Sequence, residues 1–280
     1  DGVEPRHVAD EFLIGVNEHD VVVHHDSGQG HHARPGHDHR EALPHHQHAD
    51  QHPGRGQHHR QQHQHGVVEA VEQSNRFDVV VVATEDDRVV DHVRGFGGYA
   101  VLTPPECPSG TDRVLAALDV LDLEPDLVVN IQGDEPLLPP TVLSALLDAT
   151  VQRDADVWTP IVRITDEAEL SNPNVVKVVR TEDARALYFT RAGAPYVRDG
   201  ASKLVPGLHW KHVGIYAFTL DALREHVALP PSPLERAEFL EQLRLLEHGA
   251  LFRCVEVEAD LIAVDTPDDA ERVRARLRMR

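Results

Sequence analysis

Leu127-Val-Val-Asn-Ile-Gln-Gly-Asp-Glu-Pro136 joins an apolar, β-branched run to a glycine, two carboxylates and a proline. The apolar part reads as a buried strand. The glycine and the acids after it read as the point where that strand stops. Asp134 is therefore expected at the mouth of a sheet, where a hard cation can bridge carboxylate and phosphate oxygens. Taken alone, the run fits a strand-end turn with a solvated acidic pair better than a cation site.

Outward from this stretch, strands and helices alternate. Asp78-Val-Val-Val-Val-Ala-Thr84 reads as a strand, Asp86 to Phe96 as a helix stopped by Gly95, Gly97 and Gly98, and Tyr99 to Thr103 as a second strand. Thr111 to Leu121 follows as a helix with Val114, Leu115, Leu118 and Leu121 on one side, and Thr141 to Val151 as another. Such alternation over short loops predicts βαβ units and a mostly parallel mixed sheet with helices on both faces, in an α/β, Rossmann-like arrangement. Ligands in such folds bind beyond the carboxyl ends of the strands. Further on, Asp156 to Ile164, Val175 to Arg180, Val213 to Phe218 and Phe252 to Val257 read as strands. Leu234 to Glu247 reads as one helix and Thr266 to Arg278 as a closing one, with Pro267 at its first position.

The chain has 280 residues and a net charge of −20, from 27 Lys and Arg against 47 Asp and Glu. That balance excludes a protein that coats nucleic acid, which needs clustered basic residues. No run approaches the roughly 18 apolar residues of a membrane span, and no secretory signal pattern opens the chain. Cys107 and Cys254 lack the spacing of a disulfide framework or a zinc knuckle. A cytoplasmic protein without membrane or nucleic-acid partners is expected.

Residues 1–66 differ from the rest. They hold 16 of the 21 histidines, and between His24 and His65 the apolar residues are Ala33, Ala42, Leu43 and Ala49 alone. So little apolar surface cannot offset the entropy of ordering the segment, so disorder is expected. Three readings stand side by side: a metal-binding tract using pairs such as His31-His32 and His58-His59, a solvated tail, and a misassigned start or out-of-frame translation. The single ordered domain is expected over residues 67–280.

Other runs carry candidate chemistry. Val264-Asp-Thr-Pro-Asp268 puts Asp265 at a second probable strand end, before a helix. It is a second acid for a cation or a simple helix-start acid. In Pro108-Ser-Gly-Thr-Asp-Arg113, Ser109, Gly110, Thr111 and Arg113 offer close backbone approach, hydroxyls, a helix N-terminus and a guanidinium. The same run also fits an ordinary capped helix. Ala186-Leu-Tyr-Phe-Thr-Arg191 and Trp210-Lys-His-Val-Gly-Ile-Tyr216 supply Arg191, Lys211, His212 and Tyr216, groups suited to a carboxylated sugar. Glu241 and Gln242 by default sit on a helix surface.

Together and in this order, these runs resemble the CMP-Kdo synthetase family, the 3-deoxy-manno-octulosonate cytidylyltransferases. The matching elements are Val82-Ala-Thr84, Ser109 to Arg113, Asn130 to Pro136, Asn172-Pro-Asn174 with Lys177, and Leu187 to Arg191. They continue with His212 to Tyr216, Ser232 to Glu235, Leu240 to Arg244 and Val264 to Pro267. The resemblance implies a homodimeric Rossmann-like enzyme that transfers CMP from CTP to 3-deoxy-D-manno-octulosonate (Kdo). It implies Mg²⁺ held by Asp134 and Asp265, with Ser109 to Arg113 along the cytidine side. It places Gln132, Arg191, His212, Tyr216, Glu241 and Gln242 around Kdo. Three features depart from the pattern: Cys107 stands where His is usual, Thr190 where Ser is, and Ala263 where Gly is. Residues 1–66 also lack the family's opening strand and its Arg-x-x-Ser-x-Arg…Lys loop, and the first lysine is Lys177. A related acidic sugar as substrate, or an inactive relative with a metal-binding tail, are the alternatives.

Overall fold

The computed structural model describes residues 14–15, 20–25, 66–131, 138–198 and 203–258. Its elements are β1 (Ile14–Gly15), β2 (Asp20–His25), α1 (66–74), β3 (Val79–Thr84), α2 (Asp87–Gly95), β4 (Ala100–Leu102), α3 (Gly110–Leu121), β5 (Leu127–Ile131) and α4 (Pro140–Thr150). They continue with β6 (Val157–Arg163), α5 (Glu167–Ser171), β7 (Lys177–Arg180), β8 (Ala186–Thr190), β9 (Trp210–His212) and β10 (Ile215–Thr219). The described chain closes with α6 (Leu220–Ala228), α7 (Pro233–Glu238), α8 (Gln242–Glu247) and β11 (Phe252–Glu256).

All the strands join one sheet, in the order β4-β3-β2-β1-β5-β10-β6-β9-β7-β8, with β11 against β6. Every residue of β5 is buried, so both of its faces are covered. The Asn130 side chain reaches Thr111 in α3, and α3 packs on α6, which puts those two helices on one face. The α/β class follows the strand–helix alternation, but the pairing is more antiparallel than that alternation predicts. Among the described strands the parallel pairs are β1/β5, β3/β4 and β6/β11. The physical reason is β10. It returns between β5 and β6 and runs antiparallel to both, and the β7–β8–β9 extension is antiparallel throughout.

The slot between β3 and β5 is taken by β1 and by Asp20–His25, which runs antiparallel to both β3 and β5 with Val22 opposite Asn130 and Asp20 opposite Ala83. Sheet pairing therefore reaches back across the boundary expected at residue 66. Val21-Val-Val23 is β-branched and short, which suits a central strand. The direction is opposite to that of a parallel first strand. The histidine pairs from His31 onward and the closing helix expected over Thr266 to Arg278 lie outside the described residues. No described helix is long and apolar enough to cross a membrane.

Most expected elements fall within a few residues of where periodicity put them. Asp86 caps α2 and Ser109 caps α3, each accepting a hydrogen bond from a first-turn N–H. One expectation needs correction. Leu234 to Glu247 is two short helices, broken at Phe239, whose φ of 53° is left-handed. Helical spacing of Leu234, Ala237, Leu240 and Leu243 suggested continuity, yet Leu234 is over a third exposed and Leu240 and Leu243 are buried.

A buried ion pair holds this helical corner. Arg244 grips Glu235 with Nε at 2.9 Å from Oε2 and Nη2 at 2.6 Å from Oε1, and donates through Nη1 to the His226 carbonyl at 3.1 Å. Ser232 and Glu235 also close a capping box at the start of α7. Burial opposes ionisation of Glu235, but the bonds from Arg244 and the Ser232 N–H outweigh it and hold the carboxyl below its ordinary range. Replacing Glu235 with Ala strands the guanidinium in the core. Urea unfolding should then show a loss of about 3–5 kcal/mol, and a loss under 1 kcal/mol would remove this pair from the account.

Candidate active site

The carboxyl end of β5 gathers side chains from four elements. Tyr216 of β10 pairs directly with Asn130, so both side chains leave the sheet on the same face. Thr111, in the first turn of α3, accepts a hydrogen bond from Asn130 Nδ2 at 3.4 Å and donates one to Glu241 Oε2 at 3.3 Å. Ser109 donates to Asp112 Oδ2 at 2.6 Å while its oxygen caps the helix. The N-terminus of α3 and the start of α8 thus meet over β5, across 130 residues of chain. Asn130 Oδ1 is buried and has no partner among the described residues.

His212 and Tyr216 extend this surface, their ring centroids 5.2 Å apart. His212 Nε2 lies 2.9 Å from Thr159 Oγ1, and that hydroxyl has the Ile215 carbonyl at 2.8 Å. A hydroxyl has one proton to give, and the carbonyl can only accept. The ring nitrogen is then the donor, and Nδ1 is left as the acceptor edge. Burial pushes the imidazole down to about 3, so the ring is neutral at physiological pH. Burial, with the Glu241 charge nearby, also raises the Tyr216 phenol, which stays protonated. The pair offers an acceptor and a donor suited to sugar hydroxyls.

Glu241 is an acid whose surroundings disfavour its charge. Burial raises its pKa, and the Asp112 carboxylate adds to the rise. The nearby Ser109 hydroxyl, the hydrogen bond from Thr111 and the Arg244 charge pull the other way without cancelling it. Gln242 is buried at the first position of α8. Arg191 sits at the end of β8 with its guanidinium on three backbone carbonyls: Glu238 at 2.7 Å, Pro173 at 3.1 Å and Phe239 at 3.2 Å. Arg113 is turned into the protein, paired with Glu85 and donating to Thr103 Oγ1 at 2.8 Å and the Pro104 carbonyl at 3.4 Å. It anchors the loops that follow β3 and β4. Gly110 is buried under the first turn of α3. Gln132, Asp134 and Asp265 lie outside the described residues.

Asn130 and Asp112 lie inside runs that the sequence matched but were given no role of their own, and Thr159 and Glu238 were not singled out at all. Asn130 carried a signal, being the one amide inside an otherwise apolar strand. Thr159 and Glu238 are ordinary polar residues at strand and helix positions, and only the folded pairing gives them partners.

The raised Glu241 carboxyl has a consequence for stability. The ionised form is disfavoured in the folded state, so the destabilisation is present above the folded pKa and absent below the unfolded one. Glu241→Gln should raise the urea midpoint at pH 7, and the gain should shrink as pH falls towards the ordinary carboxylate range. A gain that is constant with pH would assign it to packing instead.

The family model described as cytidylyltransferase matches residues 64–256. The 3-deoxy-manno-octulosonate cytidylyltransferase of Anaeromyxobacter dehalogenans is 46% identical over 213 residues, covering 75% of this chain and 85% of that protein. The protein of the same name from Myxococcus xanthus is 44% identical over 211 residues, with 75% and 83% covered. A CMP:2-keto-3-deoxy-manno-octonic acid synthetase solved with CTP is 40% identical, covers 77% of this chain and 87% of its own, and superposes with a TM-score of 0.71. The 4-diphosphocytidyl-2C-methyl-D-erythritol synthase of Anaerococcus prevotii, 14% identical with a TM-score of 0.50, shares the fold alone. With most of its length matched by that model, and with these relatives above 40% identity, the chain belongs to the cytidylyltransferase family, in the 3-deoxy-manno-octulosonate branch.

Proposed function

We propose that the chain transfers CMP from CTP to Kdo, releasing pyrophosphate. The observation that carries the reading is the meeting of α3, β10 and α8 at the carboxyl end of β5, in a chain whose relatives are named for this reaction. The first turn of α3 offers the Gly110 and Thr111 backbone N–H groups and the Ser109 and Thr111 hydroxyls to the nucleotide side. Neutral His212 and protonated Tyr216 line the sugar side, with Glu241 and Gln242 between the two. The anomeric hydroxyl of Kdo attacks the α-phosphorus in line. The new oxygen–phosphorus bond forms as the bond to pyrophosphate breaks, and the hydroxyl proton is released to solvent.

Mg²⁺ belongs to the same reading. Among the described residues no three His, Cys, Asp or Glu side chains cluster to hold a metal. The acids expected to hold it, Asp134 and Asp265, are hard oxygen donors of the right chemistry, and Asp134 follows the last described residue of β5 by three positions. When bound, the ion supplies positive charge to the triphosphate. The described residues bind and orient the two substrates. A homodimer and a cytoplasmic setting complete the reading, and sedimentation equilibrium tests the first of these.

Incubation with CTP, Kdo and Mg²⁺ should yield CMP-Kdo and pyrophosphate, read by mass spectrometry and a coupled pyrophosphate assay. A preference for another acidic sugar, such as 8-amino-Kdo, would move the assignment within the family. The absence of any CMP-sugar would end it. Asp134→Asn and Asp265→Asn should each lower kcat by at least 10²-fold, by analogy with the loss of a charge-stabilising donor, and weaken Mg²⁺ binding measured by calorimetry. Unchanged Mg²⁺ affinity in both variants would remove the two acids as ligands.

A further inference from the structure

Glu241 and Gln242 sit just past a break between two short helices, so helix continuity does not place them. The break is tied down from the strand side. The Glu238 carboxylate, at the last position of α7, accepts from Thr190 Oγ1 at 2.7 Å, the Arg191 N–H at 2.9 Å and the Tyr188 hydroxyl at 3.4 Å. The Arg191 guanidinium reaches back to the carbonyls of Glu238 and Phe239, on either side of the left-handed residue, and to Pro173. Beneath them Lys177 is fully buried, and its three ammonium protons go to the carbonyls of Asn172 (2.7 Å), Val175 (2.5 Å) and Arg191 (2.7 Å). Strand β8, the 172–175 loop and the α7–α8 turn are thereby joined by charge-assisted bonds to fixed backbone atoms. A left-handed phenylalanine persists only where its surroundings over-determine it.

We propose that Glu238 and Lys177 are positioning residues, which fix Glu241 and Gln242 against Thr111 through Arg191 and the α7–α8 turn. The catalytic consequence rests on the transferase reading, whereas the placement of the turn does not. Arg191 on this account acts first on the protein's own backbone. A fork that only held a substrate carboxylate would have no need of Glu238, whose oxygens face Tyr188, Thr190 and the Arg191 amide.

Two variants test this. Glu238→Gln is close to isosteric but loses the charge and one acceptor oxygen. Arg191→Lys keeps a charge but cannot span the carbonyls of Glu238, Phe239 and Pro173 together. Both should lower kcat on the order of 10²-fold, the scale of a small misplacement of reacting groups, and should change KM for CTP as well as for Kdo. The double variant should be no worse than either single one. Amide hydrogen exchange of the free protein should quicken over residues 240–243 in both variants and stay unchanged in α3. Lys177→Met should act in the same direction, and because it also risks the fold, Glu238→Gln is the deciding variant. A near-normal Glu238→Gln enzyme, with Arg191→Lys raising KM for Kdo alone, would overturn the proposal in favour of a direct substrate contact. If the unaltered protein makes no CMP-sugar, the transferase reading fails. The exchange rates at 240–243 then decide the positioning by themselves, and unchanged rates overturn it.

Discussion

A strand buried on both faces must have hydrogen-bond partners along both edges, because no water reaches its backbone groups. β5 is such a strand, and the rest of the structure is arranged to satisfy it. One edge is closed by β10, in register from Leu127 to Ile131, and the other by Asp20–His25 over the same five residues together with Ile14–Gly15 at Val129 and Asn130. With both edges and both faces occupied, the open direction is along the strand axis. The chemistry-bearing groups among the described residues gather at that end, where α3 begins and Tyr216 stands opposite Asn130.

The polar groups around that opening are held by two kinds of anchor. Glu235 with Arg244 is a bidentate pair nearly closed to solvent, and Lys177 is an ammonium enclosed by carbonyls. Each costs desolvation and is rescued only by complete pairing, so each defines one arrangement and penalises others. Glu241 is different. It is kept in a place that raises its pKa, close to a second carboxylate and two hydroxyls. That is local destabilisation at the point where α3 and α8 meet, and functional sites are where such a cost is tolerated.

Much of this was legible in the sequence for a physical reason. β5 and α3 have strong periodicity and clear stops, so their types and ends could be read, and Ser109 has the side chain that an N-cap demands. The apolar Asp78–Thr84 run gave β3 to within one residue. What could not be read depends on distant pairing. The break at Phe239 is held by Arg191 and Lys177, some 50 to 60 positions earlier, and helical spacing across it is continuous. β10's antiparallel insertion is a choice of neighbour that no local pattern encodes. Asp20–His25 was obscured by the histidine-rich composition around it, although Val21 to Val23 are ordinary strand residues. The family motifs signalled Glu241, Thr111 and Arg191, but the pairing of Glu241 with Thr111 and of Arg191 with Glu238 emerges only in three dimensions.

The most direct test of the central claim, that the carboxyl end of β5 is where the nucleotide binds, is amide hydrogen exchange with and without CTP. The account predicts slower exchange at Gly110 to Arg113 and at Ile131, with the β7–β8 hairpin unchanged. A footprint elsewhere on the sheet, or none at saturating CTP, would contradict it.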